Sequence, residues 1–370
     1  MSRGTDIERG WRRIPAPDGI RGIAVLGVLF HHLDQLTGGH PGVDTFFVLS
    51  VFLITGILLD ERGRVDRARR PIPALVVVLA AVPVVESLLL DGISGSLRRE
   101  TWAAVFYMVW PLLVIAAFAI ARRRSWNGPC ALAVAAGALA AVSYLLTQML
   151  WSPENTLLVH SGTDTRVGAI LLGAVAAVIV FETAPPKSAI IWIGQLALVG
   201  LVPIAASWVA LDGQSELLSR IGFPVTALAT TVVIAATALQ PDSLLARTMS
   251  NPVLRWFGAI SCGLYLWHWP IIVWLDPART GWDGPALDAV LVVLSISVAA
   301  LSYHLIEQPV RYSDWGGRRT ALASIAALAV VAVGHHRPRP PMSRLRYRPP
   351  SAPFPTIPPT NCRATWATVG

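Results

Sequence analysis

The sequence predicts an all-α polytopic integral membrane protein of about ten to eleven transmembrane helices, with its N-terminus in the cytoplasm. Three observations predict it. Hydrophobic residues make up 54% of the chain and charged residues only 14%, where a soluble domain carries roughly 25% charge. The apolar residues gather into runs of about 20 residues, the length that crosses a hydrocarbon core. The basic residues gather in alternate loops between those runs.

In order, the runs are 20–36, 43–59, 73–90, 102–121, 129–150, 167–181, 189–210, 221–240, 256–275, 286–306 and 320–334. With the N-terminus inside, the cytoplasmic segments hold Arg3, Arg9, Arg12 and Arg13, then Arg62, Arg64, Arg67, Arg69 and Arg70, Arg122 to Arg124, Lys187, Arg247 and Arg255, and Arg311, Arg318 and Arg319. The opposite loops hold only Arg98, Arg99, Arg166, Arg220 and Arg279. Moving the parse by one span would spoil this alternation. The polar, basic first twenty residues lack the apolar core of a cleavable signal, so the first span is expected to act as the insertion signal. Residues 1–334 read as one membrane domain and 335–370, rich in Pro and Arg, as a disordered tail.

The net charge of +8 does not point to nucleic acid, because topology accounts for where the arginines sit. Three cysteines without close pairing argue against a disulfide framework or a metal site. No Walker loop, HExxH or GxSxG motif is present.

The first span carries Arg21 and His32, eleven residues apart. Eleven helical steps of about 100° leave both side chains on nearly one face, roughly 16 Å apart along the axis. Such groups are costly inside a bilayer and mark function by default. Histidine titrates near neutrality and can take the proton of an attacking hydroxyl. His31 points about 80° away from that face, which leaves His32 as the candidate base. Asp18, three residues before Arg21, is placed to pair with it.

Further constellations follow along the chain. Asp44, after the turn at Pro41-Gly42, sits where a carboxylate either caps a helix or faces a substrate. Ser50 lies mid-span, where a hydroxyl either bonds its own helix or serves a site. The loop Arg62–Arg70 suits either topology and anionic lipid or a phosphorylated ligand. The cluster Gly162-Thr163-Asp164-Thr165-Arg166 either caps a helix or binds a polar substrate. His268, in Leu264-Tyr265-Leu266-Trp267-His268-Trp269-Pro270, reads as structural, with Pro270 expected to kink its helix.

Several of these stretches together resemble a known family. PDGIRGIAVLGVLFHH followed by GGHPGVDTFFVLSVFLIT resembles the opening of the bacterial membrane acyltransferase-3 family, the O-acetyltransferases of cell-envelope glycans. SGTDTRVGAILLGAV, ISCGLYLWHWPIIV and LIEQPVRY resemble later segments of the same family, in the same order, over about residues 14–312. Two departures stand out. Val51 replaces a family glycine after Ser50, and LRRETWAAVFYMVWPLL joins two family segments without the loop carrying Trp-Ser-Leu and an acidic residue.

The resemblance implies transfer of an acyl group, usually acetyl, from cytoplasmic acetyl-CoA or another acyl-CoA to a hydroxyl of an extracytoplasmic glycan or glycolipid. The setting would be the bacterial inner membrane, among its lipids, with no metal and no nucleic acid. His32 would act as general base or transient acyl carrier, and Arg21 would hold a phosphate or orient His32. Arg67, Arg69 and Arg70 correspond to arginines that dock the donor. Asp44, Ser50, Asp164 and Arg166 would line the acceptor side. Many relatives add an SGNH-type hydrolase domain, where this sequence has the Pro-rich tail. The shortened loop leaves open a catalytically silent relative that binds donor or partners. The Arg21/His32 pair also leaves open a proton- or solute-coupled transporter.

Overall fold

A computed structural model describes residues 14–37, 40–61, 110, 113–152, 163–209 and 215–308. The expected spans at 73–90 and 320–334, part of that at 102–121, the Arg62–Arg70 loop and the tail lie outside the described residues. Among the described residues every regular element is a helix. They are α1 (Ala16–His32), α2 (His40–Glu61), α3 (113–123), α4 (Gly128–Leu150), α5 (Thr163–Glu182), α6 (Lys187–Val209), α7 (Phe223–Leu239), α8 (Leu244–Met249), α9 (Pro252–Trp274) and α10 (Gly284–Ser302). Wider π turns, Leu218–Gly222 and Tyr303–Glu307, lead into α7 and continue α10.

Six stretches within these helices are long and apolar enough to cross a membrane: Gly42–Leu59, Gly128–Leu150, Lys187–Val209, Leu218–Leu239, Pro252–Trp274 and Gly284–Leu305. The spans expected there agree to about one helical turn, the usual uncertainty of helix ends plus a cap. Prolines at the first positions and capping side chains explain the starts. Asn127 accepts from the Cys130 N–H and Asn251 from the Val253 N–H, each satisfying a donor the first turn leaves free. Pro270 lies inside α9, which continues to Trp274.

The first span differs from expectation. It runs from Ala16 to His32 rather than from 20 to 36, one turn earlier at both ends. Pro15 and Pro17 open it, and Asp18 lies in the first turn, at the positive end of the helix dipole. A left-handed residue closes it: Asp34, at φ 58°. The Asp34 N–H donates to the His31 carbonyl at 3.0 Å and the Gln35 N–H to the Phe30 carbonyl at 2.9 Å. That is the paired bonding of a Schellman cap, which stops the helix at His32 whatever apolar residues follow. His32 therefore terminates α1, where the expected span ran on to residue 36.

Packing sets the directions. Gly19 lies against Met249, Gly22 against Leu254 and Gly258, and the Asp18 carbonyl against Gly258, so the starts of α1 and α9 adjoin. At the other end the His32 ring meets His268 and Trp269. The two helices are therefore parallel. A Cβ on Gly258 would overlap the Asp18 carbonyl oxygen, so the glycines are what let the backbones touch. Likewise α2 and α5 meet where Gly173 abuts the Val48 carbonyl. Val51 on α2 is fully buried, and the close approach of the two helices is made by Gly173 on α5.

Burial separates inner from outer helices. In α2, 67% of the spanning window is buried, against 11% in α6. The exposed face of α6 carries Ile191, Leu196, Val199 and Val202, an apolar outer surface suited to lipid. Gly258→Leu is expected to cost about 3 kcal/mol or more, the upper end of overpacking. Gly137→Leu, on α4 where nothing lies within 4 Å, is expected to be neutral. Melting curves of the two purified variants in detergent check this pair, and equal midpoints would refute it.

Candidate active site

The site is built around His32, the last residue of α1. Its Nδ1 lies 2.9 Å from the Val28 carbonyl. A carbonyl only accepts, so Nδ1 carries the proton and the neutral ring keeps its lone pair on Nε2. That is the arrangement a base requires. The side chain is half-buried, with Trp269 packed on it at 5.1 Å between ring centroids. His31 takes a different role: its Nδ1 lies 2.8 Å from the Leu36 carbonyl, where it braces the turn after α1.

Arg21 lies on the same helix, about 16 Å down the axis. Its guanidinium sits 5.7 Å from the centre of the Phe46 ring, within cation–π range. Its Nε is buried without a hydrogen-bond partner. The expected pairing with Asp18 does not form: no ion pair joins them among the described residues. The Asp18 backbone is pressed against Gly258, while the Arg21 side chain turns toward α2.

A series of rings connects the two residues. Phe46 stacks on Tyr265 at 5.7 Å and 7° between planes. Tyr265 lies 5.9 Å from His268, and His268 lies 5.0 Å from His32. His268 is the residue that sequence reasoning set aside. It is 4% exposed, with its Nδ1 3.0 Å from the Leu264 carbonyl and its Nε2 buried without a partner. The signal for it was present in the sequence, as an imidazole within a strongly apolar span, where polar groups are costly. What the sequence did not show was that α9 lies directly against α1.

Asp44 and Arg166 form a second centre. Helix α2 starts at His40, so Asp44 lies beyond its first residues and does not cap it as one reading expected. Its Oδ1 lies 3.2 Å from the Arg166 Nη2, with the side chains 2% and 7% exposed. The atoms are close enough for an ion pair but not aligned as a hydrogen bond. The Arg166 guanidinium also covers the Phe223 ring at 4.1 Å. Beside it, Thr45 and Thr230 hydroxyls are 3.3 Å apart. The pair thus ties α2 to α5 and contacts α7.

The remaining expected residues disperse. Ser50 donates its hydroxyl to the Phe46 carbonyl at 2.8 Å, bonding its own helix. Asp164 lies in the first turn of α5, and its side chain is outside the described residues. So are Arg67, Arg69 and Arg70. Between the end of α1 and α10 lies an open apolar groove of about 630 Å³, lined by Phe30, Leu33, Leu36 and Val292. At its edge the Gln35 Nε2 donates to Asp288 at 3.0 Å.

Comparison with known proteins gives the family. The profile of the acyltransferase-3 family, described as an acyltransferase domain, matches residues 14–304. The chain is also similar to the O-acetyltransferase OatA of Staphylococcus aureus strains NCTC 8325 / PS 47, COL and MRSA252. Each is 27% identical over 350 residues, covering 81% of this chain and 57% of the relative. The chain therefore spans little more than half the length of those relatives. No solved structure matches it. The matched segment begins just before α1 and runs through α10 into its final turn, so it contains Arg21, His32, Asp44, Arg166 and His268, and the chain belongs to the acyltransferase-3 family.

Proposed function

We propose that this protein is a membrane O-acyltransferase, moving an acetyl or similar acyl group from cytoplasmic acyl-CoA to a hydroxyl of a glycan or glycolipid on the far side of a bacterial inner membrane. One observation carries the reading. In a chain of this family, His32 is held by the Val28 carbonyl with its Nε2 lone pair left for a substrate, and the residue is only partly buried. The relatives named as O-acetyltransferases support an oxygen acceptor.

In this reading His32 takes the hydroxyl proton as the acceptor oxygen adds to the thioester carbonyl. Arg21 is too distant from His32 to orient it. Its unpartnered Nε, beneath Phe46, suits an anionic oxygen of the donor instead. Arg67, Arg69 and Arg70 hold the CoA phosphates on the cytoplasmic side. Asp44 and Arg166, paired to each other, set the spacing of α2 and α5 and act on the acceptor side only through that packing.

The test uses the full chain purified in detergent with acetyl-CoA labelled in the acetyl group. Transfer to a glycan acceptor, or donor hydrolysis in its absence, is expected. Donor binding with neither outcome would instead make the protein a silent relative. Solute counterflow in liposomes, indifferent to acyl-CoA, would make it a transporter.

A further inference from the structure

We propose that Arg220 and Trp151 form a binding site for the phosphate of a membrane lipid, at the rim where α4 ends and α7 begins. The site is separate from His32 and does not depend on the transferase reading.

The sequence puts a cation where one is costly. Arg220 lies in the π turn Leu218–Gly222, inside the apolar stretch Leu218–Leu239 that is long enough to cross a membrane. An arginine within such a stretch is a functional residue by default, and single π turns are frequent at functional sites. Trp151 directly follows the spanning stretch Gly128–Leu150. Both residues are therefore level with the boundary of the hydrocarbon, where lipid headgroups lie and tryptophan is enriched.

The local structure holds the two together. The Gln148 Nε2 donates to the Arg220 carbonyl at 2.6 Å, which ties the π turn to the last turn of α4. The Leu218 N–H donates to the Ser215 hydroxyl at 3.2 Å and fixes the start of the turn. The guanidinium covers the Trp151 ring, 4.9 Å from its centre, a cation–π contact. Glu216, one turn back, lies 3.3 Å from the Arg220 Nη1, with its side chain 55% exposed. An exposed pair of that kind holds weakly.

Donors outnumber acceptors here. The Arg220 Nε is buried without a hydrogen-bond partner, and so is the Trp151 Nε1. Glu216 meets the guanidinium at Nη1, so the opposite edge, Nε with Nη2, is the open side of the fork. That edge grips two oxygens of a phosphate at once, and the indole N–H beside it adds a third donor. A phosphodiester supplies acceptors only, which is what this cluster lacks. The Arg220 side chain is 39% exposed, so the fork can be reached from outside the helix bundle. The flanks indicate where the phosphate comes from. On the same two segments Leu145, Met149, Leu217 and Ile221 are each more than half exposed, an apolar surface suited to acyl chains. A free anion would gain nothing from them. A glycerophospholipid uses both parts, its phosphate on the fork and its chains along those side chains.

The test uses the full chain purified in an uncharged detergent, with phosphatidylglycerol as the probe and native mass spectrometry as the readout. The wild type is expected to retain one tightly bound lipid. Arg220→Gln should bind it about 10- to 100-fold more weakly, the scale of charge-assisted hydrogen bonds. Arg220→Lys keeps the charge but loses the fork, and should bind nearly as poorly. Trp151→Phe keeps a ring face, loses the N–H and should weaken binding several-fold. Arg279→Gln, at an exposed cation 4.0 Å from Asp276, should leave binding unchanged. Diacylglycerol with the same chains, and inorganic phosphate without chains, should each fail to displace the probe. Melting curves in the same detergent separate a lost site from a lost fold, and Arg220→Lys and Trp151→Phe are expected to melt with the wild type. Wild-type affinity in Arg220→Gln or Arg220→Lys would overturn the proposal, because the bound lipid would then be a non-specific coat. Displacement by diacylglycerol or by inorganic phosphate would overturn it as well, leaving a site for chains or for a free anion.

Discussion

Alanine at position 32 is expected to lower acyl transfer about 10³-fold, within the range a positioned general base contributes, while the protein still inserts and melts near the wild-type temperature. The second half of this expectation follows from where His32 sits. It closes α1 against His268 and Trp269, but the helix is stopped by the Asp34 and Gln35 backbone bonds, which alanine leaves in place. His31→Ala is the informative comparison. Its ring braces the turn through the Leu36 carbonyl, so its loss should reduce the rate only a few-fold by loosening His32, on the order of one hydrogen bond. Initial rates with labelled acetyl-CoA and a glycan acceptor, for the wild type and both variants, decide the matter. Equal rates for wild type and His32→Ala would end the assignment of the base.

Arg166→Ala should destabilise the protein by about 3–5 kcal/mol, the usual cost of leaving one member of a buried ion pair without the other. Asp44 would then be a carboxylate 1% exposed among Thr45, Phe46 and Phe47, with its cation gone. Removing both charges is expected to restore most of the loss, because apolar replacements of similar volume often equal or exceed a buried pair. The double variant Asp44→Leu/Arg166→Leu should therefore melt above Arg166→Ala alone. Thermal melting of the wild type, Asp44→Leu, Arg166→Leu and Asp44→Leu/Arg166→Leu in one detergent forms the necessary double-mutant cycle. If Arg166→Ala melts with the wild type, the pair does not hold α2 to α5. If the double variant is stable but slower at transfer, the two charges also shape the site.

Much of the fold could be read from composition, because a bilayer admits few solutions. Apolar run lengths located α2, α4, α6, α7, α9 and α10, and the faces of α1 were legible from Arg21 and His32 alone. Two things were not. The end of α1 depended on a left-handed Asp34, a single dihedral inside a sequence that continues Leu33-Asp34-Gln35-Leu36 with no glycine to announce it. The partners of each polar residue depended on which helices adjoin. Asp44 looked like a cap because it follows Pro41-Gly42, but it meets Arg166 from a helix more than a hundred positions away. His268 looked structural for the same reason. Interhelical neighbours in a membrane are chosen by small-residue contacts such as Gly22 with Gly258 and Gly173 with Val48, and those pairings leave no periodic trace.

The parallel contact between the first helix and the ninth carries a consequence for biogenesis. The two imidazoles are supplied by helices far apart in the sequence, so a nascent chain paused anywhere before Pro252–Trp274 has left the ribosome holds only one of them. Whatever reactivity the pair confers arises at a late moment of synthesis, after the intervening hairpins have entered the bilayer and opened a slot of glycine width for the latecomer.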